Sequence, residues 1–232
     1  RWFEATKLGG SSGKALYQGR ADRGVTIEQL ALEQYKQLGF EGLWSENDYW
    51  WTIMSLLYWD ALFARLPEVF SPELGAFPGP IQDMPQDLFT GQFFSRRRDL
   101  IRRREVELSQ GSMFGIRKPN PETDLRNSFA RHQGMPCRSA NWDRFSVDQL
   151  ACGTKKLTPP QLCRLMRRLL ENFGNHRSGL PDLFLWRGDA PLFVEVKSTS
   201  ERPSDGQIAW MVFLAGEVQV PVELCRVTEG DT

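Results

Sequence analysis

The chain has 232 residues, 41% of them hydrophobic and 12% aromatic, which is enough for a substantial core in one large domain or two small ones. Its 29 basic and 29 acidic residues cancel, so the net charge does not indicate a nucleic-acid partner, and the absence of a run of about 18 apolar residues argues against a membrane span. Four cysteines without CxxC spacing predict reduced thiols and exclude a disulfide framework or a zinc site.

The kind of basic residue is more informative than the net charge. Arginine supplies 22 of the 29 basic residues. The guanidinium fork matches the oxygens of a phosphate group, so this bias is typical of phosphate binding. A GC-rich genome produces the same bias, and both explanations stay open.

The first third of the chain predicts a short irregular segment and two helices. Residues 1–24 are expected to be irregular, because a Gly-Gly-Ser-Ser-Gly run has the composition of a flexible linker. An amphipathic helix is predicted at 26–38 with Thr26 as its N-cap. Residues 44–66 predict a very aromatic helix whose rings belong to the core, and 70–92 predict a Pro- and Gly-rich loop.

A helix predicted at 93–109 carries two arginine triplets. Arg96 and Arg103 are seven residues apart, which places them on the same helical face. Arg97 and Arg104 repeat this spacing. The resulting basic face suits a phosphate backbone, although a solvated face interleaved with acids would have the same composition.

The second half predicts a helix, a hairpin, a further helix and a last strand. The helix at 159–174 carries Arg164 and Arg168, and Arg177 follows it; all three are candidate phosphate contacts. Strand, turn and strand are predicted at 181–196, followed by a helix at 204–215 and a strand at 218–227. This order favours a mixed sheet flanked by helices.

The hairpin gathers the residues that carry chemistry. Its two apolar runs are joined by a turn at 187–191, so that folding brings Asp182 close to Glu195. Glu195 and Lys197 are two residues apart, and in a strand they point to the same face. Two carboxylates and a lysine at one point are what a metal-dependent phosphodiesterase requires, because the carboxylates hold Mg²⁺ and the lysine orients a water or neutralises charge.

Each motif also has an ordinary structural explanation. A Pro-Asp pair is usually a turn, and Glu-x-Lys on one strand face is usually a solvated salt bridge. Both motifs together at the ends of buried strands favour the functional interpretation, because buried acids are costly unless a cation pairs with them.

Three short motifs extend this pattern: Arg177-Ser178-Gly179-Leu180-Pro181-Asp182, Val194-Glu195-Val196-Lys197 and Gln207-Ile208-Ala209-Trp210. With the helical opening from Glu28 onward, they resemble the VRR-NUC nuclease family, and more narrowly the C-terminal nuclease domain of the Fanconi-associated nucleases. The resemblance covers nearly the whole chain from about residue 15. It implies an α/β fold of the PD-(D/E)xK, restriction-endonuclease-like kind.

The resemblance also implies an activity and a domain division. It implies a divalent-metal-dependent, structure-selective DNA nuclease, a 5′-flap endonuclease and 5′-to-3′ exonuclease that acts in interstrand crosslink repair. The nuclease domain is expected to span 25–232, with a helical part at about 25–175 and the hairpin core at about 176–232. Two alternatives stay open: another PD-(D/E)xK nuclease that acts in restriction or RNA processing, and a DNA-binding module without catalysis.

Carried over by position, the resemblance assigns roles to individual residues. Asp182, Glu195 and the Val196 carbonyl oxygen would hold Mg²⁺ or Mn²⁺, Lys197 would be the catalytic lysine, and Gln207 would support the site from the next helix. A further acid comes from the N-terminal helices. Glu46 fits best, although Trp44-Ser45-Glu46-Asn47 lacks the histidine and glycines of the family's His-Gly-Glu-Gly element. Glu28 is the alternative.

The expected partners are branched or 5′-flap DNA and the upstream DNA-binding and helical-repeat domains that relatives carry, with no membrane partner. The expected location is the nucleus in a eukaryote and the nucleoid-containing cytoplasm in a bacterium. The arginine-rich composition favours a bacterium.

Overall fold

The computed structural model describes residues 1–11, 14–19, 24–66, 83–110, 118 and 120–229. These residues form two compact units. The sheet unit comprises Arg1–Asn47 and Ser178–Thr232, and the helical unit comprises Asp48–Arg177. Part of the predicted loop at 70–92 lies outside the described residues, as do Ser12 and Gly13 of the predicted linker.

The sheet unit is built on a mixed five-stranded sheet with the order β1-β8-β7-β6-β5. The strands are β1 (Trp2–Ala5), β5 (Glu41–Trp44), β6 (Leu183–Arg187), β7 (Ala190–Ser198) and β8 (Val222–Glu229). The predicted hairpin is confirmed: β6 and β7 pair antiparallel, with Leu183 opposite Val194. Strand β8 lies parallel to β7 on its other side, so β7 is central and its residues are buried on both faces.

The described residues of the segment 1–24 are not irregular, which corrects the prediction for that part. Besides β1, they form β2 (Lys7–Ser11) and β3 (Lys14–Gln18), which with β4 (Gly24–Val25) make a small antiparallel sheet. The glycine-rich composition predicted the wrong structure because strand formation here depends on pairing. Strand β1 pairs with the distant β8, and β2 pairs with its hairpin partner β3.

Helix α1 (Ile27–Gln37) covers one face of the large sheet. It begins where predicted, because Thr26 and Gln29 form a capping box that satisfies the first free backbone N–H groups. Leu30, Ala31 and Tyr35 on its buried stripe pack with strand residues such as Leu185 and Val194. This packing fixes the helix that carries Glu28 on the sheet.

Strand β5 directly precedes the region predicted as helix 44–66 and shares only Trp44 with it. It pairs with β6 at the sheet edge, and Gly42 makes the pairing possible. The φ angle of Gly42 is 154°, and an added Cβ would lie 2.5 Å from Leu185 Cδ2 and 2.6 Å from the Phe184 carbonyl oxygen. Only glycine therefore allows β5 to approach β6 this closely.

The helical unit contains α2 (Glu46–Leu57, whose first two residues belong to the sheet unit), α3 (Trp59–Leu62), a 3₁₀ turn (Gln86–Phe89), α4 (Gln92–Gln110), α5 (Pro121–His132), α6 (Val147–Lys156), α7 (Pro159–Glu171) and α8 (Phe173–His176). As predicted, most aromatic rings of α2 and α3 are core residues; Tyr49 and Trp50 are fully buried. In the described part of the chain, no helix is long and apolar enough to cross a bilayer.

The last helix, α9 (Asp205–Phe213), belongs to the sheet unit and continues into a π-helical turn (Leu214–Val218). The boundary between the helical unit and the sheet unit falls between Arg177 and Ser178, close to the predicted start of the hairpin core. Residues 1–47, however, belong to the sheet unit together with that core. The assignment of one nuclease domain to 25–232 stays a prediction.

Candidate active site

The hairpin brings Asp182 and Glu195 together as predicted. Asp182 precedes β6, and its Oδ2 accepts a hydrogen bond of 2.8 Å from the backbone N–H of Val196 on β7. Glu195 lies close enough to Asp182 that the charge of Asp182 raises the pKa of Glu195. The two acids therefore share one small space at the end of the β6–β7 pair.

Lys197 and Gln207 converge on the same acid. The Lys197 ammonium and the Gln207 amide Nε2 both donate to Oε1 of Glu195. Glu195 has no solvent-exposed surface, and its second oxygen, Oε2, is buried without a hydrogen-bond partner among the described residues. A buried carboxylate oxygen without a partner is costly unless a cation or a proton completes it.

The pKa values of Asp182 and Glu195 are both raised, chiefly by burial. Burial raises the pKa of Asp182 to about 6, and the neighbouring carboxylates of Glu28 and Glu46 add to the increase. Burial raises the pKa of Glu195 to about 8, with the charge of Asp182 as the next cause. The protein alone therefore leaves the ionised pair short of positive charge, even with Lys197 beside it.

The donor set fits a hard divalent cation. Two carboxylates and the Val196 carbonyl oxygen are oxygen ligands, and Mg²⁺ commonly uses one or two carboxylates and keeps several waters. The Val196 carbonyl also accepts a 3.1 Å hydrogen bond from Lys197. Among the described residues, no group of three His, Cys, Asp or Glu side chains is close enough to hold a metal, so Glu46 and Glu28 do not complete the set in this conformation.

Gln207 is held by both ends of its amide. Its Oε1 accepts from the backbone N–H of Ser204, and its backbone N–H donates to Ser204 Oγ, which is a capping box at the start of α9. Because the amide oxygen is engaged in this cap, the amide nitrogen is directed at Glu195. The structure places Gln207 on the predicted helix against Glu195, and its supporting role stays a prediction.

A glycine sets the distance between α9 and the segment before Asp182. Gly179 has a φ angle of +94°, and an added Cβ would lie 2.8 Å and 2.9 Å from the carbonyl carbon and oxygen of Gly206. The backbone of the Gly179–Asp182 segment therefore packs directly on the first turn of α9. The sequence showed this glycine only as part of a motif.

Glu46 lies beside Asp182 but is presented by an unusual backbone. Its φ angle is +39°, in the left-handed region that a non-glycine residue rarely adopts. The backbone N–H groups of Ser45 and Glu46 donate to the Asp182 carbonyl oxygen at 2.9 and 3.2 Å. Strained backbone of this kind is concentrated at functional sites, and it favours Glu46 over Glu28 as the third acid.

The residues that replace the family's glycines around Glu46 have partners here. Asn47 Oδ1 accepts a 3.1 Å hydrogen bond from the backbone N–H of Leu180, two residues before Asp182. The fully buried Ser45 hydroxyl lies 3.4 Å from the Asp182 carbonyl oxygen. Sequence reasoning treated Ser45 and Asn47 only as departures from the family pattern and missed these contacts.

The predicted arginine face is only partly exposed. Arg97 is 1% exposed, and its Nη1 donates to Asp87 at 2.7 Å, so its prediction as a surface phosphate contact is wrong. Arg104 is half-buried and paired with Glu107 and Asp124, each at 3.0 Å. A spacing of seven identifies residues that share a face but does not say which face is covered.

The other predicted phosphate contacts differ in exposure. Arg96 is paired with Asp87 at 3.3 Å, and burial lowers the pKa of Arg168, which is partly covered. Arg103, Arg164 and Arg177 are exposed. All of these lie in the helical unit.

Comparison with known proteins shows what the chain is similar to. Residues 116–229 match the VRR-NUC domain. The chain is 36% identical over 211 residues to the Fanconi-associated nuclease 1 homolog of Oryza sativa subsp. japonica and 30% identical over 223 residues to that of Schizosaccharomyces pombe. These matches cover 87% and 95% of this chain but only 20% and 29% of the relatives.

A solved structure matches over almost the whole chain. The crystal structure of paFAN1 bound to DNA with a 2-nucleotide 5′ flap and a gap has a TM-score of 0.76 and 25% sequence identity, and it covers 99% of this chain and 38% of that one. The fold and the Asp182–Glu195–Lys197 arrangement define a domain of the PD-(D/E)xK class, as predicted. Within that class, the chain is similar to the VRR-NUC family, whose domain matches residues 116–229.

Proposed function

We propose that this chain is a divalent-metal-dependent, structure-selective DNA nuclease. The observation that carries the proposal is the buried Asp182–Glu195 pair with raised pKa values, which Lys197 and Gln207 contact from two elements. Two carboxylates forced together in a buried site are typical of a cation-binding catalytic centre. The relationship to Fanconi-associated nucleases supports DNA as the substrate.

The residues divide into metal ligands and charge partners. Asp182, Glu195 and the Val196 carbonyl oxygen would hold Mg²⁺ or Mn²⁺, with Glu46 as the third acid. When bound, the cation would supply Lewis-acid polarisation of the scissile phosphate and a lowered pKa for an attacking water. Lys197 holds a positive charge beside Glu195 and would stabilise the charge that develops on the phosphate. Gln207 fixes the orientation of the Glu195 carboxylate.

The finer activity follows the family resemblance. We propose 5′-flap endonuclease and 5′-to-3′ exonuclease activity in interstrand crosslink repair, supported by the flap DNA bound to the structural relative. The chain spans between a fifth and a third of the length of the curated relatives quoted above, so upstream DNA-binding and helical-repeat domains are proposed partners. The proposed location is the compartment that holds the DNA, which is the nucleus in a eukaryote.

The test is cleavage of a labelled 5′-flap DNA in the presence of Mn²⁺ by this chain and by its Asp182→Ala variant. We expect the parent to cut near the junction and the variant to be inactive. Single-stranded RNA and unbranched duplex DNA of the same length serve as competing substrates. Preferential cleavage of RNA would identify a different nuclease of the same fold, and Mn²⁺ binding without cleavage of any substrate would identify a binding module.

A further inference from the structure

Two donors on different elements meet on Glu195, and one short connection joins those elements. Lys197 belongs to β7 and Gln207 to α9, and both donate to Glu195 Oε1. Residues 199–204 lie between the end of β7 and the start of α9. Because this connection is short, its course constrains where both donors lie.

Arg226 lies beside Lys197 on the neighbouring strand. Strands β7 and β8 are parallel, and Lys197 is opposite Arg226 in their register. Side chains of residues paired in this way leave the same face of the sheet, on strands about 4.8 Å apart. Two cations in such positions repel each other unless each has acceptors of its own.

Arg226 has such acceptors in the connection that follows β7. Its Nη1 donates to the Ser198 carbonyl oxygen at 2.9 Å and also to the Glu201 carbonyl oxygen. Lys197 donates instead to the Glu195 carboxylate. The two cations are therefore directed at different acceptors: Lys197 at the candidate site, and Arg226 at the backbone directly after it.

The turn that Arg226 holds, residues 198–201, is closed by contacts of its own. The backbone N–H of Glu201 donates to the Ser198 carbonyl oxygen at 3.4 Å. In return, the Ser198 N–H and hydroxyl donate to the Glu201 carboxylate at 3.1 and 2.8 Å. These two bonds are the main cause of the lowered pKa of Glu201, and the charges of Lys197 and Arg226 add to it. The turn is therefore a defined structure that a single anchor can place.

A second side chain attaches the same turn to β8. Thr199 Oγ1 donates to the Val227 carbonyl oxygen at 3.3 Å. Arg226 reaches the turn from the strand, and Thr199 reaches the strand from the turn. The backbone directly after Lys197 is therefore placed by contacts with β8, outside the hairpin that carries the acids.

We infer that Arg226 is a positioning residue of the candidate site: it anchors the turn at 198–201 to β8 and so keeps Lys197 and Gln207 directed at Glu195. The inference rests on the proposed function, because the placement of these donors matters to a reaction at the buried acid pair. Misplacing a catalytic group by about 1 Å can reduce a rate about 10²-fold. Arg226 acts through Lys197 and Gln207 rather than on the substrate.

The experiment compares the wild-type chain with Arg226→Met, which keeps an aliphatic side chain and removes the donors. Cleavage of flap DNA with Mn²⁺ is measured under single-turnover conditions over a range of enzyme concentrations. This separates the maximal rate from the enzyme concentration that gives half of it. The matched control is Thr228→Val on the same strand, because the Thr228 hydroxyl donates to the Phe3 carbonyl oxygen of β1 at 3.1 Å. Urea denaturation establishes that each variant is folded.

We expect Arg226→Met to lower the maximal rate at least about tenfold, with less than about a twofold change in the half-saturating concentration. Arg226→Lys should recover part of the rate, because an ammonium can still donate to one of the two carbonyl oxygens. Thr228→Val should keep the wild-type rate. In a Lys197→Ala background, Arg226→Met should lower the rate far less, because one residue through which it acts is gone.

Three results would overturn the inference: an unchanged maximal rate in Arg226→Met, an equal loss in Thr228→Val, or a full further loss in the Lys197→Ala background. A raised half-saturating concentration with an unchanged maximal rate would also overturn it, and would identify Arg226 as a contact to DNA.

Hydrogen exchange separates this inference from the proposed nuclease activity. Amide exchange of residues 198–204, measured by mass spectrometry, should be faster in Arg226→Met than in the wild-type chain or in Thr228→Val. Cleavage by the wild-type chain with an unchanged rate in Arg226→Met rejects the positioning role and leaves the nuclease standing. If the wild-type chain cleaves no substrate, the nuclease is rejected; faster exchange in Arg226→Met then retains the anchor, and unchanged exchange rejects it as well.

Discussion

At the scale of single residues, Lys197 has the role that is easiest to separate from metal binding. It contacts Glu195 and the Val196 carbonyl but contributes no ligand atom of its own. We expect Lys197→Ala to reduce turnover by about 10²- to 10³-fold, the usual effect of removing one charge-stabilising donor, with little change in Mn²⁺ affinity. Turnover is measured on flap DNA and Mn²⁺ affinity by calorimetry; parallel losses in both would contradict this assignment.

Asn47 is expected to position Asp182 rather than to touch a substrate. Leu180 is 2% exposed, so removing the Asn47 acceptor leaves its backbone N–H buried without a partner, which costs about 1–3 kcal/mol. We expect Asn47→Ala to lower both the free energy of unfolding and the Mn²⁺ affinity, because the Leu180–Asp182 segment loses an anchor. Urea denaturation and calorimetry measure the two effects.

The control for Asn47 is Asn120→Ala. Asn120 caps α5 by accepting from Thr123, and loss of such a cap typically costs about 1 kcal/mol. That variant should lose stability but keep its Mn²⁺ affinity. If Asn47→Ala loses only stability as well, Asn47 is merely structural.

At the scale of elements, the contact between Gly179 and α9 determines where Gln207 sits. A methyl group at residue 179 cannot be accommodated unless α9 moves away, since the obstruction is backbone rather than a flexible side chain. We expect Gly179→Ala to weaken the Gln207–Glu195 contact and to reduce flap cleavage at least tenfold. Cleavage rates and the unfolding free energy are measured together.

Gly188 provides a control for backbone strain. Its φ angle is +60°, but an added Cβ would meet nothing within 4 Å, so Gly188→Ala suffers only the conformational penalty of about 1 kcal/mol. This variant should lose stability and keep its cleavage rate. If the Gly188 variant loses cleavage as severely as the Gly179 variant, the approach of α9 is not the cause.

At the scale of the whole molecule, the acid pair should make the metal-free protein less stable as pH rises. The pKa of Glu195 is about 8 in the folded protein, well above its usual range, so near pH 7 the unfolded chain has released a proton that the folded protein keeps. Raising the pH toward 8 therefore favours the unfolded state. The stabilisation that comes from the proton on Glu195 is fully present only below the usual pKa of a glutamate and is lost as the pH rises through the folded value. Metal-free protein should show a falling free energy of unfolding between about pH 7 and 8.5.

Two comparisons isolate this effect from other titrating groups. Glu195→Gln removes the titrating carboxyl group, so the free energy of unfolding of this variant should depend less on pH across the same interval. Saturating Mn²⁺ should stabilise the wild-type chain more at the high end of the interval, because the cation competes with protons for the two acids. A metal-free wild-type chain that gains stability on going from pH 7 to 8.5 would contradict the raised pKa.

Local sequence signals predicted several elements well. The cap of α1, the start of α9 and the buried hairpin follow from near neighbours in the chain, and the structure has them close to where expected. Strands β1 and β5 were missed because they pair with strands far along the chain, β8 and β6 respectively. On α4, the seven-residue spacing was correct, but the burial of Arg97 depends on Asp87.

The sequence by itself determined the chemical groups of the candidate site, because Asp182, Glu195 and Lys197 lie on one hairpin whose period fixes which side chains meet. It also indicated the resemblance to the VRR-NUC family, since the motifs around them are specific in combination. Only the tertiary structure decided how the site is held: the Asn47 contact, the approach of Gly179 to α9 and the left-handed backbone of Glu46. The first joins residues 133 apart in the chain, the second joins Gly179 to Gly206 on another element, and the third fixes a single backbone angle, so no local pattern encodes them.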